Sequence, residues 1–467
     1  MNRNRISFLT FLLLIVMLAF GGCGGSVDDS SESLPPDGIT PPNFDKPPSP
    51  PNVSGNWLDI ANTSWYSESQ NNFTISNAEQ LAGLAKLVNN GIYFDGKTIV
   101  LTNDINLAGR KWTPIATGNT WTTSGIANEH VFRGSFYGNG HTISDMTIIG
   151  SFKYTGLFGC IDNYAIIKSV KLKNVYIDLF YDTSRGSMSY YKLNDSVPPA
   201  PTLLYFYTGG VVGNNTGLVY DCEFIGYISS YVSGDYSYSS AGGITGFNYG
   251  TVSSCDSKGI ISSTSYAGGV VGWNYGLGAD SDYGTTSGCK FNGNVLSNQY
   301  AGGIAGCNYE YGTVTVCESS GKVSSLNNAG GIVGWNGSYC LVSDCESNGS
   351  IVGGHFAGGV TGSNNGTVTK CESKGNISSN SSDYCYTGGI TGTNSGTVTD
   401  CRKIKGAVTI INPGEGKYAG GVIGYLDYNP NSPYSPLISG NTYSRPATGQ
   451  TWGIGSPAGD NGTEPVI

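Results

Sequence analysis

The sequence predicts an all-β protein, a single-stranded, right-handed parallel β-helix with a short α-helical cap at its N-terminal end. Three observations predict this fold. The pattern Gly-Gly, Ile or Val, any residue and Gly begins at residues 209, 242, 268, 302, 330, 358, 388 and 420. A cysteine follows each of the first seven copies, and apolar and polar residues alternate between them with a period of two. Units of 26–34 residues without a helical pattern are typical of one solenoid coil, whose core is closed only by stacking.

The chain begins with a predicted targeting segment. Two arginines precede an apolar run over residues 6–20 that is too short to span a bilayer stably, and Gly-Gly-Cys23 follows. Small residues directly before a cysteine resemble the bacterial lipobox, which implies a signal peptide over residues 1–22 and acylation of Cys23, for example by palmitate. A plain secretory signal is the alternative. More than one acyl chain on Cys23 would anchor the protein stably to the membrane.

Residues 23–55 are rich in proline and serine and lack a periodic apolar face, which predicts an extended tether. Residues 56–98 then contain the one convincing helix pattern. Ser76 and Glu79 form a predicted capping box, and an apolar face follows at Leu81, Leu84, Ala85 and Val88. Because the end of a solenoid exposes strand edges, we expect residues 56–98 to be its cap.

The remaining segments follow the repeat and its interruptions. Residues 99–177 alternate with a period of two and predict the first coils, and residues 178–206 form a tyrosine-rich inserted loop. Residues 207–425 hold the regular repeat. Residues 426–467 are rich in proline and glycine and predict an irregular C-terminal cap.

Two columns of the repeat are predicted to stack as ladders. The cysteine column alternates with polar residues, so its thiols are predicted to point into the core, free rather than paired in disulfides. It comprises Cys222, Cys255, Cys289, Cys317, Cys345, Cys371 and Cys401. An asparagine column precedes glycine at the predicted corners, where it would form sharp turns. It comprises Asn215, Asn248, Asn274, Asn308, Asn336, Asn364 and Asn394.

Acidic residues directly follow several ladder cysteines. They are Glu223, Asp256, Glu318, Glu346 and Glu372. Paired carboxylates can serve glycoside hydrolysis or hold calcium, but the repeat alone explains this spacing and favours a solvated column relieved by nearby lysines. There is no CxxC pair, and the three histidines lack zinc spacing, so no metal or cofactor is predicted.

Aromatic residues form the candidate binding surface. Phe247, Trp273 and Trp335 share one repeat column, and Tyr249, Tyr275 and Tyr309 share the column two residues further on. Stacked rings of this kind bind sugars and protein hot spots, and they can equally stiffen a corner of the solenoid. The sequence leaves both possibilities open.

Several motifs together resemble the GLUG-motif proteins, over about residues 76–425. They are AEQLAGLAKLVNNG (78–91), FxGKTIxLTNDINL (94–107), WTPI (112–115), FxGNGHTI (136–143), GLFG (156–159) and the Gly-Gly repeats. The resemblance implies a bacterial surface or secreted β-helical protein. The repeat also occurs beside the catalytic domain of immunoglobulin A protease metallopeptidases, whose zinc HExxH helix has no counterpart at His130, His141 or His355. The resemblance therefore implies an architecture and a location, and no activity.

The amino-acid composition limits the kinds of partner that the protein can bind. Charged residues make up 12% of the chain and the net charge is −9, which argues against nucleic acid, because such binding requires a basic face. The sequence favours a lipid-anchored module of the outer membrane or cell surface that binds an extracellular glycan or protein, as an adhesin does. The alternatives are a polysaccharide lyase or glycoside hydrolase on a parallel β-helix and a structural subunit of the envelope. We find no cluster of acids and bases outside the repeat columns, and this favours the non-enzymatic function.

Overall fold

The computed structural model describes residues 48–118, 120–121, 127–128, 130–182, 204–233, 237–278, 284–411, 413–427, 436–444 and 463–466. The predicted signal peptide, Cys23 and residues 23–47 of the predicted tether lie outside the described residues, as do residues 183–203 of the predicted loop. Residues 48–55 have no regular secondary structure.

The chain coils through four long sheets, which we number I to IV in the order in which each coil meets them. Strands within each sheet pair in parallel with the coil before and the coil after. Sheet I contains Tyr154–Thr155, Leu204–Gly209, Ser237–Gly242, Tyr266–Gly268, Tyr300–Gly302, Asn328–Gly330, Phe356–Gly358, Cys385–Gly388 and Lys417–Gly420. Sheet II contains Phe158–Ile161, Val212–Asn215, Thr245–Asn248, Val271–Tyr275, Ala305–Tyr309, Val333–Asn336, Thr361–Asn364, Thr391–Asn394 and Ile423–Leu426.

Sheets III and IV complete each coil. Sheet III contains Asn72–Ile75, Thr98–Leu101, Ser135–Tyr137, Ile166–Lys168, Leu218–Tyr220, Thr251–Ser253, Thr285–Ser287, Thr313–Thr315, Leu341–Ser343, Thr367–Thr369, Thr397–Thr399 and Ile438–Ser439. Sheet IV contains Ile105–Asn106, Thr142–Ser144, Thr147–Ile149, Lys171–Asp182, Glu223–Ser233, Asp256–Ser263, Lys290–Ser297, Glu318–Ser319, Lys322–Ser325, Glu346–Ser347, Ile351–Gly353, Glu372–Ser373, Ile377–Ser379, Arg402–Lys403, Val408–Ile410, Asn441–Ser444 and Thr463–Val466. The all-β parallel architecture agrees with the prediction.

Three short elements lie outside these sheets. A 3-10 helix spans Trp57–Ile60, an α-helix spans Ala78–Asn89, and an antiparallel pair joins Thr120–Trp121 to Ala127–Asn128. The apolar side of the α-helix is buried, as its sequence pattern predicts. Its N-cap is Asn77, whose Oδ1 accepts a hydrogen bond from the Gln80 amide at 2.9 Å, and not the predicted Ser76. Ser76 instead donates its amide to the Gln80 side chain at 2.8 Å.

Columns of like residues fill the core, because parallel strands in register bring each repeat position over its copy in the next coil. Val314 pairs with Val342 in sheet III, and Val323 pairs with Ile351 in sheet IV. The last repeat keeps this register, since Ile377 pairs with Val408 although Val408 lies one residue further from its ladder cysteine than Ile377 does. All seven ladder cysteines are buried and free, as predicted.

The sharp corner between sheets III and IV is made by the residue before each ladder cysteine. This residue has a positive φ in every regular coil, which places it in the left-handed region. The column comprises Asp221, Ser254, Gly288, Val316, Asp344, Lys370 and Asp400. The ladder asparagines do not have this left-handed conformation, and they form the predicted turns through side-chain contacts, as where the Asn364 amide donates to the Gly366 carbonyl at 3.2 Å. They act through their side chains, which are fully buried.

The ends of the repeat region contain more regular structure than the sequence predicted. Described parts of residues 426–467 add strands to sheets III and IV, where Thr399 pairs with Ser439 and Lys403 with Tyr443. The inserted loop is flanked by extended strands, since Lys171–Asp182 pairs with Glu223–Ser233 as far as Asp182. The predicted cap over residues 56–98 already contributes the strand Asn72–Ile75 to sheet III.

Candidate functional site

The structure brings the six predicted aromatic residues together along sheet II. Phe247 pairs in register with Trp273, and Tyr275 pairs with Tyr309. Cys307 lies between Trp273 and Trp335 in the first column. Ring centroids of Tyr309 and Trp335 are 5.6 Å apart, and those of Tyr249 and Tyr275 are 5.9 Å apart. The six rings therefore form one continuous group.

Tyrosines of sheet I cover this group, and they were not among the predicted site residues. Tyr207 stacks on Phe247 with 4.8 Å between ring centroids, Tyr266 lies 5.1 Å from Trp273, and Tyr300 lies 6.0 Å from Trp335. We call the combined set the aromatic cluster. It comprises Tyr205, Tyr207, Tyr238, Phe247, Tyr249, Tyr266, Trp273, Tyr275, Tyr300, Tyr309 and Trp335. None of these rings belongs to the continuous hydrophobic core within the coils.

The covering tyrosines decide which predicted rings a ligand can reach. Tyr249, Trp273 and Tyr275 are buried, at 4%, 6% and 7% exposure, and are therefore not available as a contact surface in this structure. Phe247, Tyr309 and Trp335 remain half-buried, as do the tyrosines of sheet I. Burial also raises the pKa of Tyr275 to about 12 and that of Tyr266 well above its ordinary value, so both phenols stay neutral.

A second aromatic group continues along the same two sheets in later coils. Tyr386 stacks on Tyr425 with 4.4 Å between ring centroids, and Phe356 stacks on Tyr386 at 5.3 Å. His355 lies 4.8 Å from the exposed ring of Tyr384, and burial lowers the pKa of His355. The signal for this group was present in the sequence, because Tyr266, Tyr300, Phe356 and Tyr386 occupy one position two residues before the Gly-Gly pair.

The acidic column lies on sheet IV, where Glu318, Glu346 and Glu372 stack on successive coils as their repeat positions predict. Glu223 pairs with Asp256, Asp256 with Lys290, and Lys290 with Glu318. Glu346 and Glu372 continue the column.

Countercharges neutralise the later acids but not the first two. Lys290 Nζ lies 3.5 Å from Glu318 Oε2, Lys374 pairs with both Glu346 and Glu372, and Arg402 also pairs with Glu372. The Lys374 ammonium lowers the pKa of Glu346. Within the described ranges, Glu223 and Asp256 form no ion pair.

Glu223 and Asp256 line a groove of about 340 Å³ on sheet IV. Lys258, Lys290, Asn292, Glu318 and Ser320 also line it. This convergence of acids and bases was not predicted, because repeat positions align each column separately and do not show that four neighbouring coils leave a depression between them. Partial burial raises the pKa of Asp256, and Lys290 opposes that shift.

Other kinds of site are not found in the described part of the chain. There, no group of three or more His, Cys, Asp or Glu side chains is placed to hold a metal ion. No described helix has both the length and the apolar character needed to cross a membrane. Every described cysteine is buried and free, which includes Cys160, Cys307, Cys340 and Cys385 outside the ladder.

Comparisons with known proteins provide little further information. No protein-family model matches the chain, and no curated protein is similar to it. One solved structure is similar over 80% of this chain and 84% of its own, with 16% sequence identity and a TM-score of 0.39. It is described as the crystal structure of a putative immunoglobulin A1 protease from Bacteroides ovatus.

Proposed function

We propose that this chain is a lipid-anchored binding module of the bacterial outer membrane or cell surface, which holds an extracellular glycan against the aromatic cluster. The observation that carries the proposal is the row of half-buried rings on the outside of the core, with Phe247, Tyr300, Tyr309 and Trp335 among them. Flat rings with limited exposure stack on the apolar faces of sugars at little entropic cost. The anchor at Cys23, the right-handed coil and the cap function of the helix belong to the same proposal.

The arrangement of the rings favours a linear polymer as the ligand. Successive coils of a parallel sheet repeat every ~4.8 Å, so rings from neighbouring coils present a regular series along the solenoid axis. Tyr207, Tyr300, Phe356 and Tyr418 all lie in one register column of sheet I. A protein ligand is the alternative occupant, and a binding screen separates the two.

The test is a glycan-array and extracellular-matrix binding screen of the full chain and two variants. Trp335→Ala should weaken binding of the selected ligand about tenfold or more, because it removes one of the half-buried rings that remain accessible in the aromatic cluster. Tyr164→Ala is the matched control, since Tyr164 is 74% exposed and lies outside the aromatic cluster. Undiminished binding by a folded Trp335→Ala variant would exclude the aromatic cluster as the ligand surface.

The groove on sheet IV favours a second candidate function, the cleavage of a polysaccharide. Carboxylates from adjacent coils with lysines beside them are the groups that acid–base cleavage of a sugar chain requires. Incubation of the chain with a panel of polysaccharides, followed by measurement of new reducing ends, tests this function. Cleavage that disappears in Asp256→Asn would support an enzyme with its site in this groove.

A further inference from the structure

The corner between sheets II and III is longer in three successive coils than in the other coils of the asparagine ladder. In those other coils the inward residue of sheet III comes four positions after the ladder asparagine, as in residues 364–368. It comes six positions after the asparagine in residues 308–314 and 336–342, and twelve positions after it in residues 274–286. The same three coils carry four of the six predicted aromatic residues, which are Trp273, Tyr275, Tyr309 and Trp335. The extra corner residues and these rings therefore occur together.

The two six-position corners place a pair of stacked tyrosines at the surface. The ring centroids of Tyr311 and Tyr339 are 5.0 Å apart, with 14° between the ring planes, and Tyr339 is 58% exposed. Both residues have φ 63°, in the left-handed region that a residue with a Cβ atom enters only at a cost in free energy. Because more than half of Tyr339 is exposed, packing in the core does not account for a tyrosine at this position. Backbone strain of this kind is concentrated at ligand-binding sites.

These corners run directly beside the aromatic cluster. A methyl group placed on Gly337 would lie 3.3 Å from Tyr309 Cδ2 and 3.7 Å from Trp335 Cη2, and both of these rings are half-buried and accessible. We propose that Tyr311 and Tyr339 extend the ligand surface of the aromatic cluster around this corner, and that the pair stacks on a neutral sugar unit of the bound glycan. The inference rests on the proposed function and adds to it the residues that set its specificity.

The charge at the same corner favours an uncharged sugar. Glu310 lies between Tyr309 and Tyr311, is half-buried, and forms no ion pair in the part of the chain that the structure describes. Burial, and then the Glu310 carboxylate, raise the pKa of Tyr275 to about 12, so this negative charge acts within the aromatic cluster. A carboxylate accepts hydrogen bonds from sugar hydroxyl groups and repels the acidic groups of a uronate or a sulfated sugar.

The experiment is affinity electrophoresis of the full chain in gels that each contain one polysaccharide. The neutral probes are galactomannan, xyloglucan and mixed-linkage β-glucan, and the anionic probes are polygalacturonate and alginate. We expect at least one neutral probe to retard the chain more than either anionic probe does. Tyr339→Asn should weaken that binding about tenfold or more in Kd, because it removes the exposed ring of the pair. No retardation by any neutral probe, or equal retardation by an anionic one, would overturn the proposal.

The choice of variants keeps the corner folded and separates this inference from the proposed function. Asparagine replaces Tyr339 because it is tolerated in the left-handed region, and Tyr311→Asn, which removes the other ring, should have the same effect. Tyr164→Asn is the matched control, since Tyr164 is 74% exposed at the same corner of an earlier coil and is not in the left-handed region. It should leave the Kd unchanged.

Trp335→Ala is measured on the same gels. If it weakens binding while Tyr339→Asn, folded as judged by circular dichroism, does not, the tyrosine pair is not part of the site and the proposed function stands. If neither variant weakens binding, the proposed function fails as well.

Discussion

The side-chain amide of Asn336 donates a hydrogen bond to Oδ1 of Asn364 at 2.8 Å, and Asn364 repeats the contact with Asn394 at 2.7 Å. The same bond joins each pair of neighbours in the ladder back to Asn215, over distances of 2.7–2.9 Å. The Asn364 amide also lies 3.2 Å from the carbonyl oxygens of Gly366 and Thr397. Each fully buried asparagine from Asn215 to Asn364 therefore bonds the asparagine of the next coil.

This ladder makes a sharp prediction for Asn364→Ala. The change removes the acceptor of the Asn336 amide and the donor to Asn394 Oδ1 and to two carbonyl groups, so we expect the free energy of unfolding to fall by about 3 kcal/mol. Urea denaturation followed by circular dichroism measures this. Asn365→Ala is the matched control, because Asn365 is exposed and adjacent. Equal stability of the two variants would contradict a structural function for the ladder.

The Cys345 thiol of the ladder should be inert in the folded protein. Cys345 Sγ donates to the Ser343 carbonyl at 3.1 Å, and burial raises the pKa of the Cys345 thiol well above its ordinary value. Because only the thiolate is a good nucleophile, we expect almost no reaction with a thiol reagent until denaturant unfolds the coils. Mass spectrometry of labelled peptides checks this. Rapid labelling of Cys345 under native conditions would show that the coil opens locally.

Much of this fold could be predicted from the sequence, because equivalent positions of successive repeats pair with one another in a parallel solenoid. The cysteine and asparagine columns were predicted to stack, and the hydrogen bonds from the Cys371 amide to Cys401 Sγ and from Asn364 to Asn394 show this stacking. The site could be predicted only in part. Repeat position showed that Trp273 and Trp335 share a column, but it gave no information about which residues of another sheet cover them. Tyr266 of sheet I packs against Trp273 of sheet II across the Gly-Gly corner. This contact depends on how the two sheets meet, which the repeat pattern does not give.

Among the seven residues with positive φ that precede the ladder cysteines, Val316 is poorly suited to this conformation. Val316 has φ 56°, and its side chain is 65% exposed, so packing does not compensate for the strain of a β-branched residue in the left-handed region. Val316→Asn should therefore raise the free energy of unfolding by about 1 kcal/mol. Ser254→Val makes the reverse change at the same position of another coil and should lower stability by a similar amount. If both variants matched the wild type, the strain would be refuted.

Lys403 is a buried cation in a column that elsewhere holds Ser347 and Ser373. It is 2% exposed, and desolvation lowers its pKa to about 8. Its Nζ donates to the carbonyl groups of Gly375 and Lys405, and these hydrogen bonds partly replace the hydration that the ammonium group loses on burial. Because a lysine in the unfolded chain has a pKa of about 10.4, the unfolded state binds more protons between pH ~8 and ~10.4.

Stability contributed by this group should therefore rise as the pH increases through that window, and the penalty of about 3 kcal/mol should be fully present below pH ~8. The measurement is the unfolding free energy of the wild type and of Lys403→Met between pH 7 and 10. The difference between the two isolates the pH dependence due to Lys403, because thiols and phenols titrate in both proteins. We expect the difference to change in favour of the wild type as the pH rises. Lys405→Met removes an exposed lysine nearby and should give a flat difference. A flat difference for Lys403→Met as well would mean that Lys403 keeps an ordinary pKa in the folded protein.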